Sequence, residues 1–364
     1  MIRYWLPLVL ISPYIVLLLF IYRSLLRIKF FKVTHDPSTF VSVVIACRNE
    51  QENLPGLLKS ITRQDYPEEL FEVIIVNDNS TDRTLSVASE FSLLHNLHNI
   101  HTISNNGTGK KLAIRTGISI AKGKLIITTD ADCTMGKKWL RTITAFYEKE
   151  KASLIICPVR IGNMPGFFGR FQSLEFLSLQ GITAGSAKSG NSTMCNGANM
   201  AFEKDAYTNH LAELHDEIAT GDDVFLLHSL KRDSKAKISW LESTEAMVTT
   251  FPSTTINAYF RQRKRWISKA NAYRDTYSVI LGFVTFVTIL LYTGLLMAGI
   301  INREYLKIFM MIFLLKSLPD FLILTNTSNR YGDGKLMKWF LPAQVLYPFY
   351  VLLVALYPIS VRKN

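Results

Sequence analysis

Charge is scarce in this chain: Asp, Glu, Lys and Arg make up 19% of its 364 residues, while apolar residues make up 48%. A composition so poor in charge and so rich in apolar side chains excludes intrinsic disorder. Cysteine is scarcer still, with four in the whole length and no CxxC pair. That excludes a disulfide-built scaffold, and Cys47, Cys133, Cys157 and Cys195 read as small buried or half-buried thiols in a reducing compartment. No internal repeat or low-complexity tract is visible. Acidic residues are the minority sign, 29 against 41 Lys and Arg, leaving a net charge of +12. A basic excess beside a positive mean hydropathy points to separate apolar and basic segments, as in a membrane protein with a water-facing part. A nucleic-acid polymer is not expected as a partner, and the length allows one or two domains.

The apolar residues are concentrated. Residues 4–22 hold 19 without a charge, 276–302 hold 27, and 339–361 hold 23. Each is long enough for a bilayer core, which needs about 20. A fourth run, 308–324, is interrupted by Lys316 and Asp320. It is either a span whose charges are paired and shielded or a re-entrant segment. The first run lacks a small-residue cleavage site and is followed by Arg23, Arg27, Lys29 and Lys32, so it reads as an anchor and not a signal peptide. That basic flank, and Arg261, Arg263, Lys264, Arg265, Lys269 and Arg274 before the second run, both border the middle of the chain. Positive charge favours the cytosolic side. The expected organisation is an anchor with its basic flank over 1–33, a cytosolic domain over 34–275, and transmembrane helices over 276–364. An inner or plasma membrane is the expected location in a bacterium. Lys335 and Lys338 agree with four crossings; Arg362 and Lys363 then fall outside, against the rule.

The middle region alternates strands and helices. Continuous apolar, β-branched runs predict strands at 41–47, 71–77, 100–103, 125–129 and 154–159. Helical spacing predicts helices over 52–64, with Leu54, Leu57, Leu58 and Ile61 on one face, over 110–121, over 139–149, and from a cap at Ser80 or Thr81 to about residue 91. This order predicts an α/β fold, a mostly parallel sheet covered by helices. Ligands of such sheets bind beyond the carboxyl ends of the strands. Arg48 and Glu50 follow the first strand, Asp78 the second, and Asp130 and Asp132 the fourth.

Several short motifs fall where chemistry needs them. Asp130-Ala131-Asp132 puts two carboxylates at a strand end, and hard cations such as Mg²⁺ or Mn²⁺ take carboxylate oxygens together with substrate phosphates. Asp78 can accept hydrogen bonds from a base or ribose, or close an Asx turn. Gly107-Thr108-Gly109-Lys110-Lys111 opens a helix with two lysines; cations there oppose the helix dipole, so an anionic ligand or a solvated loop would account for them. It is not a Walker A loop. Asp222 and Asp223 follow Thr220-Gly221 and begin an apolar helix; one is explained by capping, the other by a general base. Gln262-Arg263-Lys264-Arg265-Trp266 is either a juxtamembrane belt or a diphosphate clamp with an indole for a sugar face.

Taken together and in this order, VSVVIACRNE, VNDNSTD, GKKLAIRTGI, TTDADC, NGANMAF, TGDDVFLL and QRKRW resemble a family 2 glycosyltransferase of the GT-A fold. The resemblance is to the membrane branch with the D, DxD, (E/D)D, QxxRW pattern, shared by cellulose, chitin and hyaluronan synthases and ceramide glucosyltransferases. It covers roughly residues 38–275 and implies a GT-A Rossmann-like sheet with about four transmembrane helices. It further implies that Asp78 binds the nucleotide, with Arg48, Glu50, Lys110 and Lys111 beside it. Asp130 would contact the sugar nucleotide and share with Asp132 the metal, Mg²⁺ or Mn²⁺. Asp223, beside Asp222, would be the base, chosen as the second member of a doublet that is Glu-Asp in relatives. Gln262 and Arg265 would hold the diphosphate, and Trp266 would line the acceptor end. Arg115 stands where many relatives have Asn. The implied activity is inverting transfer from a nucleoside diphosphate sugar to a lipid or lipid-linked acceptor at the bilayer. A processive polysaccharide synthase, and a catalytically silent sugar-nucleotide sensor or scaffold, are the alternatives.

Overall fold

The computed structural model describes residues 2–95, 97–215, 218 and 221–357. Thr220, Arg362 and Lys363 lie outside the described residues. The chain forms two compact units: residues 29–162 with 192–251, and residues 1–28 with 163–191 and 252–364.

The first unit is built on a seven-stranded sheet. In spatial order its strands are Ile100–Ser104, Phe71–Asn77, Val41–Cys47, Leu125–Thr128, Met200–Glu203, Leu154–Ile156 and Ile238–Trp240. The first four run parallel. Met200–Glu203 is antiparallel to both neighbours, and the last pair is parallel again. The central strands are buried along almost their whole length, as expected of strands covered on both faces. Helix Leu54–Ile61 buries the four residues that its spacing marked. The predicted fifth strand divides: Leu154–Ile156 stays in the main sheet, and Val159–Ile161 joins a three-stranded sheet with Val248–Thr250 and Thr134–Met135. Pro158 stands at the break, where no N–H is available to continue a ladder.

One predicted cap is elsewhere. The helix Thr84–Leu94 begins after Asp82, whose Oδ1 accepts from the Thr84 N–H at 2.9 Å. Ser80 and Thr81 instead lace two strand-end loops: Ser80 Oγ accepts from the Asn49 N–H at 3.0 Å, and the Thr81 N–H donates to Asn49 Oδ1 at 2.8 Å.

Among the described residues, the second unit contains four helices long and apolar enough to cross a membrane: Tyr4–Leu26, Thr276–Ile301, Glu304–Arg330 and Gly334–Leu356, the last opening as a 3₁₀ turn. Ile11, Leu18, Ile21 and Leu25 of the first are buried, while Val9 and Val16 are exposed, as are Phe283, Met297, Leu314 and Leu353 on the others. Apolar residues on both the packed and the exposed faces are what a lipid solvent requires. Residues 308–324 fall inside one continuous helix, and their two charges pair with each other: Lys316 Nζ lies 2.7 Å from Asp320 Oδ2. A continuous helix whose two charges are paired is a candidate span by length and composition.

The division does not follow the expected boundaries at 33 and 275. Helix Gly166–Lys188 lies in sequence between strands of the main sheet, yet it packs with the apolar helices. Gly181 and Gly185 permit this. A Cβ on Gly181 would come within 2.4 Å of Thr327 Oγ1, and one on Gly185 within 2.6 Å of Ile21. Small residues four apart let helices of an apolar bundle approach closely.

Within the first unit, Asn199 is the main buried polar joint. It is fully buried. Its amide donates to the Pro158 and Ala246 carbonyls at 2.7 and 2.8 Å and accepts from Trp139 Nε1 at 3.0 Å. Asn199→Ala strands all three partners, and unsatisfied buried groups cost about 1–3 kcal/mol each before relaxation. The variant is expected to lose roughly 3 kcal/mol of stability, measured as a lowered midpoint in denaturant against wild type in the same detergent.

Candidate active site

The carboxyl ends of the central parallel strands carry the acids. Glu50 follows Val41–Cys47; its side chain accepts from Asn53 Nδ2 at 2.8 Å, and its carbonyl starts helix Leu54–Ile61. Asp130 and Asp132 follow Leu125–Thr128 and are half-buried. Asp132 Oδ2 accepts from Thr250 Oγ1 at 3.2 Å, so the small second sheet helps to aim it. Asp222 and Asp223 open helix Asp222–Arg232. The Asp223 oxygens accept from the Gly197 N–H at 3.1 Å and from the Val224 N–H at 2.8 Å. Gly197 belongs to the NGANMAF segment, which leads into strand Met200–Glu203.

Lys110 draws these groups together. Its Nζ lies 2.5 Å from Asp130 Oδ1. Its surroundings desolvate the ammonium, which lowers its affinity for a proton; the carboxylates of Asp130, Asp222 and Asp223 outweigh this and hold it above the ordinary lysine range. The acids also act on one another. Burial first, then Asp130, pushes the Asp132 carboxyl up. Burial first, then Asp132, Asp130 and Asp82 among its neighbours, does the same to Glu50. Carboxylates raised by burial and mutual repulsion form a cluster short of positive charge. Arg48, beside Glu50, is exposed.

Asp78 is buried and tied to its own loop. Oδ1 accepts from Asn105 Nδ2 and from the Gly109 N–H, both at 2.8 Å. The N–H of Gly109 immediately precedes helix Lys110–Ile120, so Asp78 holds the glycine loop that presents Lys110. Asn79 adds a second tie, donating to the Gly107 carbonyl at 2.6 Å. Asn49, Asn105 and Asn199 were not singled out by sequence; an isolated Asn carries no pattern until its partners are known.

Lys111 is a correction. Expected beside a bound anion with Lys110, it is buried and donates to the carbonyls of Leu214, His215 and Ile218 at 2.7–2.8 Å. Neighbouring helical residues point about 100° apart, so one lysine faces the acids and the other anchors Leu214, His215 and Ile218.

Gln262, Arg265 and Trp266 belong to the other unit, on helix Ile256–Ser268. Arg265 is exposed and Trp266 half-buried. The buried arginine of this motif is Arg263, ion-paired to Glu175, with its guanidinium 4.4 Å from the Tyr259 ring centroid and 4.2 Å from that of Trp266.

A divalent cation fits the first unit's chemistry. Asp130 and Asp132 are hard oxygen donors at one strand end, with excess negative charge around them. Among the described residues no three His, Cys, Asp or Glu side chains form a metal cage. Two carboxylates that leave the other positions to phosphate oxygens and water suit Mg²⁺ or Mn²⁺.

The two lysines should separate in a stability experiment. Lys111→Met removes the donor to the Leu214, His215 and Ile218 carbonyls and is expected to cost roughly 3 kcal/mol, with new proteolytic cleavage near Leu214 and His215. Lys110→Met, on a half-exposed side chain, is expected to change stability by less than about 1 kcal/mol. Equal losses in thermal melts would remove the distinction.

Residues 42–211 match the model of the family described as Glycosyl transferase family 2. Among curated proteins the chain is similar to the poly-beta-1,6-N-acetyl-D-glucosamine synthase of Staphylococcus epidermidis, 26% identical over 263 residues, covering 70% of this chain and 60% of that one. It is also similar to the dolichyl N-acetyl-alpha-D-glucosaminyl phosphate 3-beta-D-2,3-diacetamido-2,3-dideoxy-beta-D-glucuronosyltransferase of Methanococcus voltae, 31% identical over 112 residues, covering 31% and 35%. The chain thus spans three-fifths or less of the length of these relatives. Among solved structures, the mannosyltransferase PcManGT of Pyrobaculum calidifontis, in complex with GDP-Man and Mn²⁺, superposes with a TM-score of 0.61 over 96% of this chain and 98% of that one, at 17% identity. That likeness speaks to the fold.

Proposed function

We propose that this protein is a membrane-bound inverting glycosyltransferase that moves a sugar from a nucleoside diphosphate sugar to the hydroxyl of a lipid or lipid-linked acceptor. The observation that carries the reading is the group around Lys110, where Asp130, Asp222 and Asp223 act on one ammonium at the strand ends. The family 2 domain and the four apolar helices support it. The basic residues bordering the apolar segments favour a cytosolic catalytic unit.

The donor's diphosphate needs positive charge, and Lys110 supplies part of it. Asp132 and Asp130 would hold Mg²⁺ or Mn²⁺, which would neutralise the charge of the departing diphosphate. Asp78 shapes the nucleotide side through the glycine loop. Asp223, oriented by two backbone N–H groups, takes the proton of the acceptor hydroxyl as its oxygen bonds to the anomeric carbon and the diphosphate leaves from the opposite face. Such base catalysis contributes typically 10²–10⁴-fold. The diphosphate role of Gln262 and Arg265, and the acceptor role of Trp266, rest on their motif alone. The name of the Staphylococcus epidermidis relative favours a second reading, a processive polysaccharide synthase. Four candidate spans among the described residues are few for an export path, which supports transfer to a lipid as the first reading.

Membranes containing the protein, given a panel of labelled sugar nucleotides, are expected to move label into organic-extractable lipid. An insoluble glycan of many sugars would select the second reading. Asp223→Asn is expected to cut turnover by about 10²–10⁴-fold with donor affinity nearly unchanged; normal turnover would remove the base assignment. Mn²⁺ is expected to raise the melting temperature of the wild-type protein and to do so far less in Asp132→Asn. An equal rise in both would remove Asp132 as a ligand.

A further inference from the structure

Arg263 and Glu175 form an almost wholly buried ion pair within the second unit. Arg263 Nε donates to Glu175 Oε1 at 2.9 Å and to Oε2 at 3.1 Å, Nη2 donates to Oε2, and the Tyr350 hydroxyl donates to Oε1 at 3.0 Å. Apolar replacements of such pairs are often neutral or stabilising. Docking of helix Ile256–Ser268 does not require the pair either. Tyr259 stacks on Tyr350 with ring centroids 5.4 Å apart, and Lys264 Nζ donates to the Ala355 carbonyl at 2.6 Å. Just before the helix, the Gln172 amide exchanges two hydrogen bonds with the Ser253 backbone, at 2.9 and 3.0 Å. Packing alone therefore gives no reason for two desolvated charges.

What the pair does fix is a single side-chain amide. Arg263 Nη1 donates to Gln262 Oε1, and Ser253 Oγ reaches the same oxygen at 3.5 Å. An amide turned the other way would set its NH₂ against a cation that only donates. The guanidinium is not free to turn and allow this. Its fork is on Glu175, and its central carbon lies 4.4 Å from the Tyr259 ring centroid and 4.2 Å from that of Trp266. Gln262 is half-buried, and its NH₂ makes no hydrogen bond among the described residues. Phosphate oxygens accept, so the NH₂ is the end of the amide that a diphosphate can use.

We propose that Glu175 and Arg263 are positioning residues that lock the Gln262 amide, its oxygen turned to Arg263 and its NH₂ presented to the donor's diphosphate. Glu175 orients the guanidinium, and the guanidinium fixes the amide; neither needs to touch the sugar nucleotide. This rests on the reading that Gln262 holds the diphosphate, and it supplies the geometry that the reading requires. The demand is for a plane and not only for a charge. A lysine at position 263 would pair with Glu175, but it could not grip the carboxylate in a fork and hold Gln262 at a set angle as well.

The test uses the full chain in detergent, with equilibrium dialysis of UDP and of GDP in the presence of Mn²⁺ and thermal melts of the same samples. Arg263→Lys is expected to weaken nucleotide binding about tenfold. In a Gln262→Leu background, itself weakened, the same substitution is expected to change binding by less than about twofold. Glu175→Leu combined with Arg263→Leu is expected to melt no lower than wild type and yet to bind as weakly as Arg263→Lys, which a pair serving stability alone would not do. The double variant carries the cycle should Arg263→Lys fail to fold; failure of both to fold overturns the proposal in favour of a purely structural pair. Normal binding by either folded variant, or equal losses with and without Gln262, overturns the positioning role and leaves the donor reading standing. Normal binding by Gln262→Leu takes that residue away from the diphosphate and overturns the inference at that step. A wild-type protein that binds neither nucleotide overturns the donor reading, and this inference with it.

Discussion

Like charges held together at the end of a sheet are the constraint on which the first unit turns. Burial and the neighbouring Asp130 carboxylate raise the proton affinity of Asp132, burial and the carboxylates of Asp132 and Asp130 raise that of Glu50, and Lys110 is held by Asp130 and by the field of Asp222 and Asp223. Left to themselves the acids would separate into water. They stay because the loops bearing them are laced to one another: Asn49 to Ser80 and Thr81, Asp78 to Asn105 and Gly109, Asn79 to Gly107, Asp132 to Thr250, Asp223 to Gly197. Each such bond is worth about 1 kcal/mol net. Together they hold an arrangement whose electrostatic strain is relieved by adding positive charge. A site strained in this direction is suited to a cation and poorly suited to a second anion unless the cation comes with it.

The parallel half of the sheet was legible because its strands are buried on both faces. Unbroken runs such as VSVVIAC and FEVIIVN leave no polar face to confuse the reading, and whatever follows such a strand lies at its carboxyl edge. The acids could therefore be placed together without knowing a single contact. The antiparallel strand Met200–Glu203 was not legible as a strand: its four residues are short, and its place between Leu125–Thr128 and Leu154–Ile156 is set by pairing across the chain. Lys111 failed for a related reason. Two adjacent lysines look alike in sequence, and only the carbonyls at 214, 215 and 218 tell the anchor from its neighbour.

The helix Gly166–Lys188 shows a different limit. Read by composition it belongs to the middle region, since Arg170, Glu175 and several Ser and Thr residues break its apolar pattern. The signal that allies it with the apolar helices is the absence of two side chains, at Gly181 and Gly185, where Thr327, Ile323 and Ile21 press in. Small residues four apart are common, and only a partner helix makes the pair meaningful.

That helix also explains why the motif arginine with a structural role is the one between the motif's named positions. Arg263 is about 3% exposed and its partner Glu175 about 7%. Removing water from both ions costs several kcal/mol each, and a buried pair seldom repays that as net stability. The pair does, however, fix direction. One planar guanidinium binds Glu175 in fork geometry, donates to Gln262 and stacks between Tyr259 and Trp266. A lysine would carry the charge without the plane, and so without the stacking or the fork. The orientation of Gln262 and Trp266 is thus settled by a carboxylate 88 residues before Arg263, on a helix that packs with the apolar helices.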